Sequence, residues 1–120
     1  MTLELAAEAQ SAARARRFVD RELGTRCSAD VVEIARLLVT ELVTNAVLHA
    51  GTPLLLRLEL SARRVRIEVQ DASPSLPVAC AVSPDASHGR GLGLVDRLAS
   101  EWGVERQPGG KAVWLELARS

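Results

Sequence analysis

Ala29-Asp30-Val31-Val32-Glu33-Ile34-Ala35-Arg36-Leu37-Leu38-Val39-Thr40-Glu41-Leu42-Val43-Thr44-Asn45-Ala46-Val47-Leu48-His49-Ala50 is the longest periodic stretch of the chain, and its reading decides the fold. Ser28 and Asp30 supply the start of a helix, Gly51 stops it, and Pro53 lies just beyond. At 100° per residue one arc carries Val31, Ile34, Ala35, Leu37, Leu38, Leu42 and Leu48. Glu33, Arg36, Thr40 and Thr44 fall opposite. Glu41, Asn45 and His49, spaced i, i+4, i+8, fall within the apolar arc, and polar groups on a buried stripe require a reason.

Upstream, Ser11 is placed to cap a first helix running to about Leu23, with Gly24 past its end and Phe18, Val19 and Leu23 toward the core. Downstream, Leu54, Leu56, Leu58 and Leu60 alternate with Leu55, Arg57 and Glu59, and Val65, Ile67 and Val69 alternate with Arg64, Arg66, Glu68 and Gln70. Period two predicts two half-buried strands joined near Ser61 to Arg63. From Ala72 to His88, three prolines and four serines mark a long loop. Gly89-Arg90-Gly91-Leu92-Gly93-Leu94 follows, then a short helical stretch to Ser100. Strands near Trp102 to Arg106 and Ala112 to Leu117 flank a Pro108-Gly109-Gly110 turn. Helices leading into a mainly antiparallel mixed sheet predict an α+β two-layer sandwich, with residues 1–120 forming one domain.

Composition excludes several classes. Lys+Arg and Asp+Glu are both 15, so charge does not point to nucleic acid or to a membrane surface. Phe18, Trp102 and Trp114 are too few rings for a single-strand stacking platform. With 48% hydrophobic residues the chain is not disordered. Cys27 and Cys80 lack any metal or disulfide spacing, which fits a reducing compartment. No secretory signal or apolar run of about 20 residues is present, so the expected location is the cytoplasm.

Two readings of Glu41 and Asn45 stand on the helix alone. In one, Asn45 offers an oxygen to a hard cation such as Mg²⁺ that enters with nucleotide phosphates, and Glu41 is a general base. In the other, Glu41 reaches water at the edge of the arc and Asn45 bonds a neighbouring loop. His49 fits a packed or loop-capping role better than a ligand's. Asp71 continues the inward series Val65, Ile67, Val69, so its carboxylate faces the layer that holds the long helix; alone it also fits a strand-ending turn. The glycines from Gly89 to Gly93 permit close backbone approach, with phosphate the natural guest and a flexible hinge the plainer account. Neither a dinucleotide fingerprint nor a P-loop is present.

In this order, Glu41-Leu42-Val43-Thr44-Asn45-Ala46, strand-terminal Asp71 and Gly89 to Leu94 resemble the GHKL ATPase superfamily, whose ATP-binding domain has the Bergerat fold. The short length and the run up to His49-Ala50 resemble the anti-sigma-factor serine/threonine kinases of bacterial partner-switching systems. That resemblance implies Glu41 as general base and Asn45 as Mg²⁺ ligand. It implies Asp71 as acceptor for the adenine amine, and Arg90, Gly91, Leu92 and Gly93 as the phosphate loop, with His49 also in the ATP-binding set. It further implies ATP and Mg²⁺ as cofactors, a sigma factor and an anti-sigma-factor antagonist as partners, a homodimer, and phosphoryl transfer to a partner's hydroxyl. A partner-exchange module without significant kinase activity is the alternative. Two departures imply a reshaped adenine pocket: Asp71-Ala72-Ser73-Pro74-Ser75-Leu76-Pro77 lacks the family's glycines, and Lys111-Ala112-Val113 stands where a threonine is common.

Overall fold

A computed structural model describes residues 1–73 and 90–119. Its elements run β1 (Thr2–Leu5), α1 (Ser11–Leu23), α2 (Ala29–His49), β2 (Leu54–Leu60), β3 (Arg64–Asp71), α3 (Arg90–Leu98), β4 (Glu101–Gln107) and β5 (Gly110–Ala118). The five strands form one sheet in the order β1-β2-β3-β5-β4. Every pairing is antiparallel, so the sheet is not mixed among the described residues. No helix of the described residues is long and apolar enough to cross a membrane.

The register of β2, β3 and β5 explains the core. Leu56, Val69 and Val113 form one row across the sheet, and Leu58, Ile67 and Leu115 form the next. All point to the helical layer and are buried. The same alternation brings Asp71 of β3 opposite Lys111 of β5 at the end of the inward rows. The other face of the sheet is covered by long polar side chains. Arg66 lies over the Trp114 ring at 4.5 Å, and buried Glu68 accepts from Gln70 Nε2 at 2.7 Å.

Strand β1 was not expected from the sequence, since four residues are too short for period two to register. It pairs with β2 from Thr2↔Arg57 to Leu5↔Leu54 and buries Leu5. Ser11 is a correction of a different kind. It is the first helical residue of α1, preceded by Gln10, and its hydroxyl donates to the Ala6 carbonyl at 2.6 Å. Fully buried, the hydroxyl satisfies the chain arriving from β1 and caps nothing. Ser28 does cap α2, accepting from Val31 N at 3.3 Å. Gly51 takes φ 65° just beyond the C-terminus of α2, the left-handed conformation that ends helices.

The buried arc of α2 is rotated from the one read by periodicity. Val31, Ala35, Leu38, Val39, Leu42, Val43 and Ala46 are buried, whereas Ile34, Leu37 and Leu48 are exposed. The cause is α1, which lies along the side of α2 marked by Arg36 and Thr40. Arg16 donates to Thr40 Oγ1 at 3.1 Å and Arg36 pairs with Asp20 at 3.3 Å. Covering by a neighbouring helix moves the stripe toward Val39 and Val43. Glu41 and Asn45 therefore sit half-buried at the margin of the core, and His49 is exposed.

Candidate functional site

The C-terminal half of α2 lies over the end of the sheet, and the two enclose a crevice. Asn45 and His49 border it from the helix, Asp71 and Lys111 from the strands, and Ala46, Val69 and Val113 form its apolar floor. One helical turn separates Glu41 from Asn45 on the same side of α2. Glu41 does not border the crevice among the described residues. It lies one turn nearer the start of α2, half-buried.

Asp71 is buried and doubly hydrogen-bonded. Its side chain is 2% exposed, and Oδ1 accepts from Lys111 Nζ at 3.0 Å and from the Ser73 backbone N–H at 2.8 Å. The chain leaving β3 is tied down by the Ala72 N–H, which donates to Thr52 Oγ1 at 3.0 Å. That bond links the end of β3 to the loop that follows α2. On the other side the backbone of Asp71 and Ala72 crosses directly over Gly110, so closely that a Cβ there would overlap the Asp71 carbonyl. Gly110 is thus required for close approach of two backbones, and not for its dihedral freedom.

Lys111 is the site residue that the sequence reading missed. Its side chain is 6% exposed and its ammonium meets Asp71 inside the crevice. The signal was available: Lys111 precedes Val113, Leu115 and Leu117 at period two, the same alternation that turned Asp71 inward. The adjoining turn is the two-residue Pro108-Gly109 step, with Gly109 at φ 82°, and Gly110 already belongs to β5.

The glycine stretch differs from expectation. Helix α3 begins at Arg90, so Arg90, Gly91, Leu92 and Gly93 belong to its first turn, where a loop was predicted. Val95 is fully buried and Leu94 packs against the core, and this anchoring outweighs the helix cost of glycine, about 1 kcal/mol per residue. The backbone N–H groups of such a first turn have no helical partners, which suits an anion. Gly89, Cys80 and residues 74–88 of the expected loop lie outside the described residues.

Among the described residues a Cβ on Gly93 would meet nothing within 4 Å, so their packing does not demand glycine there. Gly93→Ala is expected to raise stability by about 0.5–1 kcal/mol, read from urea unfolding. If the glycine instead serves close approach of a phosphate, the same variant loses nucleotide affinity while gaining stability.

Among the described residues no three His, Cys, Asp or Glu side chains gather to hold a metal ion. Asn45 borders the crevice, and its single amide oxygen is a donor set that suits Mg²⁺ only when phosphates and water complete the shell.

Comparison with known proteins agrees with this fold. Residues 5–117 match the model of the histidine kinase-like ATPase domain. An uncharacterized protein of Streptomyces coelicolor is 37% identical over 87 residues, covering 67% of this chain and 81% of that protein. Among solved structures, the histidine kinase domain of the Erythrobacter litoralis blue-light activated histidine kinase superposes with TM-score 0.59 at 22% identity. That superposition covers 91% of this chain and 59% of that one. A second structure of the same kinase gives TM-score 0.59 with 98% and 46% covered, so the chain spans about half the length of these neighbours. The architecture of helices over an antiparallel sheet is therefore shared, and the chain belongs to the histidine kinase-like ATPase domain family.

Proposed function

We propose that the chain is an ATP- and Mg²⁺-dependent serine/threonine protein kinase and anti-sigma factor of a partner-switching system, acting on an anti-sigma-factor antagonist. Family membership supports an ATP-binding regulatory or kinase role. The observation that carries the reading is the placement of Asn45 and Glu41 one turn apart on α2, with Asn45 at a crevice that ends in Asp71.

In this reading Asn45 holds Mg²⁺ through its amide oxygen together with nucleotide phosphates, and the first turn of α3 grips the phosphates through backbone N–H groups. Mg²⁺, when bound, neutralises charge on the transferred phosphoryl group. Glu41 accepts the proton of a partner's serine or threonine hydroxyl as that oxygen bonds to the γ-phosphorus. The bond from phosphorus to the bridging oxygen breaks, and ADP leaves. The acceptor hydroxyl belongs to the antagonist; the sigma factor is the exchange partner. The reading places the protein in the cytoplasm, as a homodimer, with no direct contact to nucleic acid.

A second reading, partner exchange with little or no phosphoryl transfer, is favoured by one specific observation: the carboxylate of Asp71 is already engaged by Lys111.

Thermal unfolding with millimolar Mg·ATP tests the nucleotide step. A ligand selective for the native state raises the midpoint in a concentration-dependent way, by about 2.7 kcal/mol of stability at 100 times Kd. An unmoved midpoint removes the ATP reading. Glu41→Gln then separates the two readings. It is expected to keep the ATP-dependent shift and to slow transfer to the antagonist by about 10²-fold or more. Transfer at the wild-type rate would reject Glu41 as the base, and absence of transfer in the wild type leaves partner exchange.

A further inference from the structure

In the crevice between α2 and the sheet a buried cation contacts Asp71, the carboxylate that the family resemblance assigns to the adenine amine. Lys111 and Asp71 are directly opposed in the β3–β5 register, so both side chains enter from the sheet side by side. They meet at 3.0 Å, at 6% and 2% exposure. The Asp71 oxygen that Lys111 contacts also accepts from the Ser73 N–H. The remaining cavity is about 10 Å³, room for about one water molecule, whereas small-molecule sites measure about 300–1,000 Å³. The pair is held from behind, because Asp71 and Ala72 rest on Gly110, the residue next to Lys111.

We propose that Lys111 is the chain's own occupant of the base subsite. By donating to Asp71 it makes the contact that a purine amine would make, so a nucleotide is held through its phosphates with little regard to its base. This rests on the nucleotide-binding reading above and adds to it a residue that sets base selectivity. The physical basis is competition. An adenine amine gains a charge-assisted hydrogen bond to Asp71 only by displacing a full ammonium charge from a buried carboxylate, and the exchange yields little. GTP, with a carbonyl oxygen at the corresponding position, loses nothing by comparison.

Calorimetric titration of ATP and GTP, each with Mg²⁺, into the intact chain tests the proposal. The wild type is expected to bind the two within about threefold of each other. Lys111→Thr frees Asp71 and clears the lysine stem, and is expected to tighten ATP by about tenfold or more while leaving GTP within threefold of its wild-type affinity. Lys111→Met serves where the threonine variant does not fold, and where neither folds the wild-type ratio decides. A wild-type preference for ATP of tenfold or more overturns the proposal, as does a folded variant in which both affinities are unchanged. Those results leave the nucleotide reading in place. Failure of both nucleotides to bind the wild type at millimolar concentration overturns the nucleotide reading itself, and the inference with it.

Discussion

Asp71→Ala is expected to cost about 3–5 kcal/mol of unfolding free energy, because it leaves the Lys111 ammonium buried without its partner. The partner's geometry gives it few alternatives. Its side chain is 6% exposed at the end of the inward rows and lines the crevice together with Val113. Replacing both members by apolar residues of similar volume, Asp71→Leu with Lys111→Met, is expected to recover most of the loss, since the desolvation of two charges is removed along with their attraction. Urea unfolding of the two single variants and the double variant measures the coupling. A loss below about 1 kcal/mol for Asp71→Ala would show that the ammonium escapes to solvent, and the pair would then count for no more than a surface ion pair.

Gly110→Ala is the other large effect. The Cβ it adds is directed into the Asp71 carbonyl and the Ala72 Cα, which are backbone atoms and cannot rotate away. Relief requires β3 and β5 to separate at the end of their shared ladder, where Asp71 pairs with Lys111. Overpacking of this kind costs about 1–3 kcal/mol where side chains yield, and the upper end is expected here. For a domain of 120 residues that is a fall in thermal midpoint of roughly 10 °C. Gly109→Ala provides a contrast. Among the described residues its added Cβ meets nothing within 4 Å, but its φ of 82° strains any L side chain, so its cost is conformational and confined to the turn. A Gly110→Ala protein as stable as the wild type would show that the ladder end opens without resistance. It would also remove the support assigned to the Lys111–Asp71 pair.

Both sites sit where local pattern and long-range pairing meet, and that boundary marks how far the sequence could be read. Alternation in Leu54–Leu60 and Val65–Val69 determined the two central strands, because period two reports burial on one face of a sheet and needs no knowledge of partners. The Ser28 cap and Gly51 stop of α2 were equally local. So was the inward direction of Asp71. The Glu41 and Asn45 spacing was legible for the same reason, a helix having one period and fixed neighbours.

Other features required the assembled chain. Only the packing of α1 against α2 decided which residues of α2 are buried, turning Ile34, Leu37 and Leu48 outward against their hydropathy. β1, four residues long, exists because β2 offers it a ladder, and its own residues could not announce that. The glycines of α3 are helical because Leu94 and Val95 are anchored in a core built mostly by other elements. Most consequentially, alternation along the strands carries an inward direction for Asp71, which was read, and for Lys111, which was missed, but only the β3–β5 register set them opposite one another at 3.0 Å. Register is a property of two strands some 40 residues apart in the chain, chosen by the summed burial of Val65, Ile67 and Val69 against Leu117, Leu115 and Val113. No single strand carries that information.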